Sequence, residues 1–331
     1  MKKYNVAVVG ATGVVGTTFL KVLEEYDFPI NELHLFASEK SAGNIVSFKG
    51  KEYTIKCLNM DSFKGIDFAL FSAGASISLK WCPVAEASGA IVIDNSKAFR
   101  MDKDCSLIVP EININDYVGK RKIIANPNCS TIQSVIPLNA LKKYGLKRVS
   151  YTTYQAVSGS GSKGINDYKR TRMGEKESFY PYNISQTCIP HIDEFLDNGY
   201  TKEEMKMIEE TRKILHMPDL AVSATCVRVP IVSSHAVSVV VELEKDFDLD
   251  SIRNDFINQE GIILLDDPKK NIYPTSIASN GNDMVYVGRV RRDLSNPKAV
   301  MLYCVADNIR KGAASNAVMI AKKIIEEWIL C

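Results

Sequence analysis

The stretch Asn126-Pro127-Asn128-Cys129-Ser130-Thr131 is where this sequence most clearly offers chemistry. Pro127 fixes a turn, and Cys129 falls at or near the start of a helical stretch, Ser130 to Tyr144. A helix dipole favours the thiolate of a cysteine at its N-terminus. A thiolate beside a nicotinamide can attack an aldehyde to give a thiohemiacetal, which becomes a thioester on losing hydride to the cofactor. The other cysteines, at 57, 82, 105, 188, 226, 304 and 331, form no C-x-x-C or zinc-like cluster. They read as mostly inert buried thiols of a chain that lives in a reducing cytoplasm, and no metal is expected.

A second feature supplies the partner for such a thiol. Gly10-Ala11-Thr12-Gly13-Val14-Val15-Gly16 follows an apolar strand and precedes a helix, the setting that a dinucleotide fingerprint requires. The spacing is G-x-x-G-x-x-G, not G-x-G-x-x-G, but the physics is the same: a tight turn and a helix N-terminus that presents N–H groups to a pyrophosphate. The second strand ends Phe36-Ala37-Ser38, without the acidic residue that would hold a ribose hydroxyl. Ser38, Lys40 and Ser41 suit a 2′-phosphate and favour NADP, while Glu39 opposes that preference.

These residues need elements to hold them. Val6–Val9, Leu33–Ala37, Phe68–Phe71, Ile91–Ile93, Leu107–Val109 and Ile123–Ala125 read as short buried strands. Helical stretches at Thr17–Tyr26 and Leu79–Ser88 alternate with them, which points to βαβ units and a parallel sheet. Beyond about residue 148 the texture changes to long β-rich runs, Val149–Val157 and Val237–Leu243. A Gly/Ser loop, Ser158–Gly164, and a charged helix, Lys202–Leu215, lie between them. The tail, Ala313–Leu330, is amphipathic, with Ala317, Ile320, Ala321, Ile324 and Trp328 near one face. Periodicity alone does not say which body that face covers. The expected fold is α/β: a Rossmann-type dinucleotide-binding domain, 1–128 with the helix 312–331 returning to it, plus a mixed α+β catalytic and dimerisation domain, 129–311.

Taken in order, Gly10-Ala-Thr-Gly13-x-x-Gly16, Phe71-Ser72-Ala73-Gly74, Asp94-Asn95-Ser96-x-x-Phe99-Arg100-Met101, Asn126-Pro-Asn-Cys129-Ser-Thr, the Arg228…His235 segment and Asp307-Asn308-Ile309-Arg310-Lys311-Gly312-Ala313-Ala314 resemble the bacterial type of the aspartate-semialdehyde dehydrogenase family over almost the whole chain. The resemblance implies a homodimer that reversibly reduces L-4-aspartyl phosphate to L-aspartate 4-semialdehyde and phosphate with NADPH, feeding lysine, methionine and threonine synthesis. It implies Cys129 as the nucleophile and His235 as general acid/base, a task that suits a side chain titrating near neutrality. It assigns Gln155 to orienting the substrate, Arg228 to its α-carboxylate as a bidentate fork, and Arg100 and Lys213 to phosphate. Glu210 is assigned to the substrate amine and Asn128 to the phosphate or oxyanion. For the cofactor it implies Gly10, Thr12, Gly13, Val14 and Val15 at the pyrophosphate, Ser72 and Gly74 as further contacts, Ser158 and Gly159 at the nicotinamide, and Asn308 on its amide. Lys40 departs from the arginine common in the family, keeping charge but losing stacking. His34, His191 and His216 have no comparable setting and read as structural.

Composition narrows the alternatives. Lys plus Arg is 41 and Asp plus Glu is 39, a net charge of +2, which offers no basic excess for a nucleic acid or anionic membrane. No apolar run reaches the roughly 18 residues that would span a bilayer, and no apolar signal segment opens the chain. An N-acetylglutamyl-phosphate reductase is the nearest rival, but its cysteine usually follows N-P-G. A CoA-thioester reductase, acting on malonyl-CoA, shares the chemistry and lacks the need for phosphate-binding cations. A non-catalytic nucleotide-binding homologue would not need Cys129, Gln155, Arg228 and His235 together.

Overall fold

The computed structural model describes the backbone of residues 2–330 and the side chains of residues 2–326. Two compact units emerge, one formed by residues up to Pro127 and from Ala313 onward, the other by Asn128–Gly312.

The first unit runs β1 (Tyr4–Val9), α1 (Val14–Glu25), β2 (Ile30–Phe36), a hairpin β3 (Ile45–Phe48) and β4 (Lys51–Thr54), β5 (Phe68–Phe71), α2 (Ala75–Ala87), β6 (Ile91–Asp94), β7 (Ser106–Leu107), α3 (Pro110–Asn113) and β8 (Ile123–Ala125). Its main sheet has the order β2-β1-β5-β6-β8-β7 with parallel pairs throughout. Strands such as Phe68–Phe71 and Ile91–Asp94 are buried along their whole length, as a parallel sheet covered on both faces demands. The expected strand Leu107–Val109 is corrected: pairing covers only Ser106–Leu107, because Pro110 starts a helical turn.

The second unit runs α4 (Cys129–Leu141), β9 (Leu146–Gln155), α5 (Gly161–Arg172), α6 (Lys202–Ile214), β10 (Ala221–Arg228), β11 (His235–Leu243), α7 (Leu249–Asn258), β12 (Ile262–Leu264), α8 (Ser276–Ser279), β13 (Val285–Arg292) and β14 (Ala299–Ala306). Its mixed sheet has the order β10-β9-β11-β14-β13-β12. Helices α4, α6 and α7 pack on it. Val149, Tyr151, Thr153 and Gln155 of β9 are buried, and Ser150, Thr152 and Tyr154 between them are not, the period-two signature of a sheet with one covered face.

The chain then returns to the first unit as α9 (Ser315–Leu330), which lies against α1, α3, β5 and β6. Ala317, Ile320, Ala321 and Ile324 are all at most 1% exposed there, while the Trp328 side chain lies outside the described residues.

One further expectation is corrected. Ser158–Gly164 is not a loop: Val157–Ser160 forms a 3-10 turn and α5 starts at Gly161. Most of the other described thiols are buried, as expected. Cys82, Cys105, Cys226 and Cys304 are, but Cys57 is half-buried and Cys188 exposed, with Cys331 outside the described residues. Among the described residues no helix is long and apolar enough to cross a membrane, and no group of His, Cys, Asp and Glu is arranged to hold a metal.

Candidate active site

In the first unit, the chain leaves β1 at Gly10, whose φ of +88° favours glycine. The N–H groups of Gly10 and Ala11 both donate to the Phe36 carbonyl, at 2.8 and 3.1 Å. A β-carbon at Gly10 would overlap the Ser72 carbonyl oxygen, and one at Gly16 would overlap the Gly10 carbonyl oxygen. The turn is therefore wedged between the end of β5 and the first turn of α1. Gly13 is the N-cap of α1 and brings no side chain, so no side chain caps the N–H groups at Val14 and Val15. Thr12 and Gly13 are exposed beside them. Such a glycine-lined helix start suits a pyrophosphate.

After β2, Ser38 and Lys40 are exposed around a 3-10 turn, and Ser41 Oγ lies 3.4 Å from Thr12 Oγ1. Ser72 is half-buried, and Gly74, at φ +88°, starts α2 without a side-chain cap. Arg100 is buried, and its Nε and Nη2 donate to the carbonyls of Asn126 at 2.9 Å and Asn95 at 2.8 Å. It grips the chain just ahead of Pro127.

In the second unit, Asn128 is the N-cap of α4, and its Oδ1 accepts from the N–H groups of Ser130 and Thr131 at 2.9 and 3.3 Å. Cys129 is thereby the first helical residue, half-buried. A β-carbon at Gly312 would sit 2.6 Å from Cys129 Cβ, so glycine there leaves the cysteine its space. The Asn128 N–H donates to Glu210 Oε2 at 2.6 Å, and Asn128 Nδ2 donates to Glu203 Oε1 at 2.8 Å. Gln155 Nε2 reaches the same Glu203 oxygen at 3.1 Å, while Gln155 Oε1 accepts from Thr153 Oγ1 at 2.9 Å. Lys206 Nζ lies 2.9 Å from the other Glu203 oxygen and 2.7 Å from Asp193. Burial opposes the charge on Glu203, but the Lys206 ammonium and the bonds from Lys206, Asn128 and Gln155 outweigh it and hold the carboxyl at about 2.

Beside this set, Arg228 Nη1 donates to the Ala156 carbonyl at 2.7 Å, and the Ala156 N–H donates to His235 Nδ1 at 3.0 Å. Gln133, one turn into α4, donates to the His235 carbonyl at 3.1 Å. A β-carbon at Gly159 would lie 2.9 Å from Arg228 Nη1 and 3.1 Å from His235 Nε2. Asn308 Oδ1 accepts from the Ser234 N–H at 3.0 Å, and Asn308 Nδ2 donates to Ser158 Oγ at 3.0 Å. Burial, helped by the Arg228 charge, pushes His235 down to about 3, so the ring is neutral.

The second unit thus brings Asn128, Gln155 and Glu210 together at the start of α4, and gathers Ser158, Gly159, Arg228, His235 and Asn308 around one turn. Lys213 is half-buried on α6. Sequence reasoning missed Glu203 and Lys206, which contact Asn128 and Gln155. The signal was present: α6 carries E-x-x-K twice, at 203–206 and 210–213. Seven residues is nearly two helical turns, so both pairs share a face and periodicity does not choose between them.

Comparison with known proteins bears on these arrangements. The family described as semialdehyde dehydrogenase, NAD binding domain, matches residues 5–119, and that described as semialdehyde dehydrogenase, dimerisation domain, matches residues 137–311. The chain is 51% identical to an aspartate-semialdehyde dehydrogenase of Aquifex aeolicus, over 99% of each chain. It is 47% identical to that of Bacillus subtilis, over 97% of each. A crystal structure of aspartate semialdehyde dehydrogenase II from Vibrio cholerae, complexed with ASA, superposes with a TM-score of 0.94 at 42% identity, over 99% of this chain and 100% of that one. This chain belongs to the aspartate-semialdehyde dehydrogenase family.

Proposed function

We propose that the chain catalyses the reversible reduction of L-4-aspartyl phosphate to L-aspartate 4-semialdehyde and phosphate, as a cytoplasmic homodimer. Its cofactor is a nicotinamide dinucleotide, and we infer NADP, because the exposed Ser38 and Lys40, with Ser41, follow β2 where no acidic residue ends the strand. When bound, that cofactor supplies the two-electron reduction.

The observation that carries this reading is the buried network that meets at Asn128, the residue before Cys129. Asn128 caps α4 so that the thiol stands at a helix start, and its side chain is tied to Glu203, which Gln155 and Lys206 also bind. Cys129 attacks the acyl carbon, phosphate leaves, and an acyl-thioester remains on the enzyme. Arg228 offers an unpaired Nε, buried, to the substrate carboxylate. The carboxylates of Glu203 and Glu210 set the negative side of the site for a free amine. His235 acts on the oxygen of the tetrahedral adduct. A free amine and an aspartyl-length chain distinguish this reading from an N-acylated substrate.

The decisive assay is semialdehyde oxidation with and without phosphate, using NADP and then NAD. Phosphate-dependent turnover with NADP preferred is expected. Turnover of malonyl-CoA without any with aspartyl phosphate would overturn the reading. Cys129→Ala should abolish turnover while NADP still binds in a fluorescence titration.

A further inference from the structure

Asp94, the last residue of β6, is fully buried, and the proposed reaction gives its carboxylate no task. Its Oδ1 accepts from Ser78 Oγ at 2.7 Å and from the Ser96 N–H at 3.0 Å, and its Oδ2 accepts from Ser96 Oγ at 2.6 Å. All three donors are neutral. Burying a carboxylate among neutral donors is costly, because the bonds must replace its whole hydration shell. Making a turn does not require it. Asp293 and Ser295 form the same pair of bonds, N–H and hydroxyl to one carboxylate, at the surface turn between β13 and β14. What distinguishes Asp94 is its burial and its third bond, which reaches a separate element.

Two segments of the first unit meet at this side chain. One is α2. Ser78 is its fourth residue, and the Ser78 N–H donates to the Gly74 carbonyl at 3.1 Å. The other is the turn that carries Arg100. Ser96 Oγ extends the restraint along it by accepting from the Ala98 N–H at 3.1 Å. The Asp94 carbonyl accepts from the Asn126 N–H at 2.8 Å. Arg100 then closes the turn, with Nη2 on the Asn95 carbonyl and Nε on the Asn126 carbonyl. Both carbonyls that grip the guanidinium thus belong to residues tied directly to Asp94: Asn95 follows it in the chain, and Asn126 is bonded to its backbone.

We propose that Asp94 is a positioning residue for phosphate: by fastening the 94–100 turn to α2, it fixes the plane in which Arg100 presents its guanidinium. The inference rests on the proposed reaction and deepens it. A guanidinium is a rigid planar fork, so its grip on an oxyanion depends on how that plane is aimed. The charge of Asp94 makes the fastening firm. Hydrogen bonds to an ionised acceptor are shorter and about twice as strong as neutral ones, and both hydroxyl bonds to Asp94 have that short length. Asparagine would keep the shape of the side chain but would remove the charge and replace one acceptor with a donor.

Steady-state and burst kinetics of semialdehyde oxidation test this in the full-length protein. In Asp94→Asn, KM for inorganic phosphate should rise about 10-fold, as when a charge-assisted bond is weakened. KM for the semialdehyde, and the burst of reduced cofactor that precedes attack by phosphate, should stay at the wild-type level. A residue that served only the fold would change all three together. Ser96→Ala, which loses the Oδ2 bond and the bond to Ala98, should show the same split, and it carries the test should Asp94→Asn not fold. A double-mutant cycle with Arg100→Lys identifies the group through which Asp94 acts. Lysine lacks the planar fork, so adding Asp94→Asn to it should raise KM for phosphate by no more than about twofold further. Fully additive effects, an unmoved KM for phosphate in the single variants, or parallel rises in both KM values overturn the inference. A wild-type enzyme that turns over without phosphate would sink the proposed reaction itself, so the two failures are distinguishable.

Discussion

Glu203 and His235 are buried groups with opposite electrostatic fates, and both make the fold sensitive to acid. His235 is held neutral, down at about 3 from its usual 6.5, chiefly by burial and then by Arg228. A depressed histidine contributes stability that is present above about pH 6.5 and is lost as pH falls from there toward 3, because only the unfolded chain binds the proton easily. Glu203 sits at about 2, below its usual 4.5, so its contribution is present above about pH 4.5 and is lost on the way to 2. Urea unfolding across this range should show stability declining from about pH 6.5 downward. In His235→Gln the decline should begin only near pH 4.5, where carboxylates titrate. An unchanged onset in that variant would show that the ring is not buried neutral. Gly159 gives a kinetic counterpart. Gly159→Ala should lower the melting temperature modestly, because buried Arg228 Nη1, bonded to the Ala156 carbonyl, would lie 2.9 Å from the new methyl and must shift. Its new methyl would crowd Arg228 and His235, and a displacement of about 1 Å at such groups costs about 10² in kcat/KM.

The start of α4 shows what an element adds to its residues. The N-cap of an ordinary helix tolerates aspartate as well as asparagine, since either side chain accepts the first-turn N–H groups. Asn128 also donates, through Nδ2, to Glu203 at 2.8 Å. Asn128→Asp would keep the cap and set two buried carboxylates against each other. Asn128→Ala would lose the cap, worth about 1 kcal/mol, and one bond to Glu203. The aspartate variant should therefore be the less stable of the two in urea unfolding, the reverse of the usual order. This double duty also explains what sequence does and does not reveal. The turn at Gly10, the strands of the first sheet and the place of Cys129 at a helix start are readable because each depends on neighbours within a few residues. Helix α5 is not, because Gly161, Ser162 and Gly164 argue against a helix locally. What anchors it is Asp167, which accepts from Ser178 N–H at 2.6 Å, Ser178 Oγ at 2.8 Å and Tyr180 N–H at 3.1 Å, a contact with a later segment. Glu203 escaped for a related reason: its partners Asn128 and Gln155 come from two other elements.

At the scale of the whole molecule, the second sheet poses a burial problem that one copy of the chain does not solve. Helices cover one face, and on the other β9 presents Ser150, Thr152 and Tyr154, β11 presents Ser238 and Val240, and β14 presents Met301 and Tyr303. Tyr154 is 37% exposed, and its ring centroid lies 6.2 Å from that of Tyr303. A paired aromatic patch on an open sheet face fits a second copy of the chain better than it fits water, since tyrosine offers a large apolar body with a polar tip. With a net charge of only +2, electrostatic repulsion does little to keep two copies apart. Light scattering should therefore report twice the chain mass of 36.8 kDa. Tyr154→Asp should shift that mass toward the single chain. The patch shares strands β9 and β10 with Gln155 and Arg228, whose side chains point to the helix-covered face. Separating the copies should then loosen these strands and lower kcat/KM, with Tyr154→Phe, which keeps the ring, retaining both mass and activity. A Tyr154→Asp protein that stays dimeric would place the interface elsewhere on the second unit.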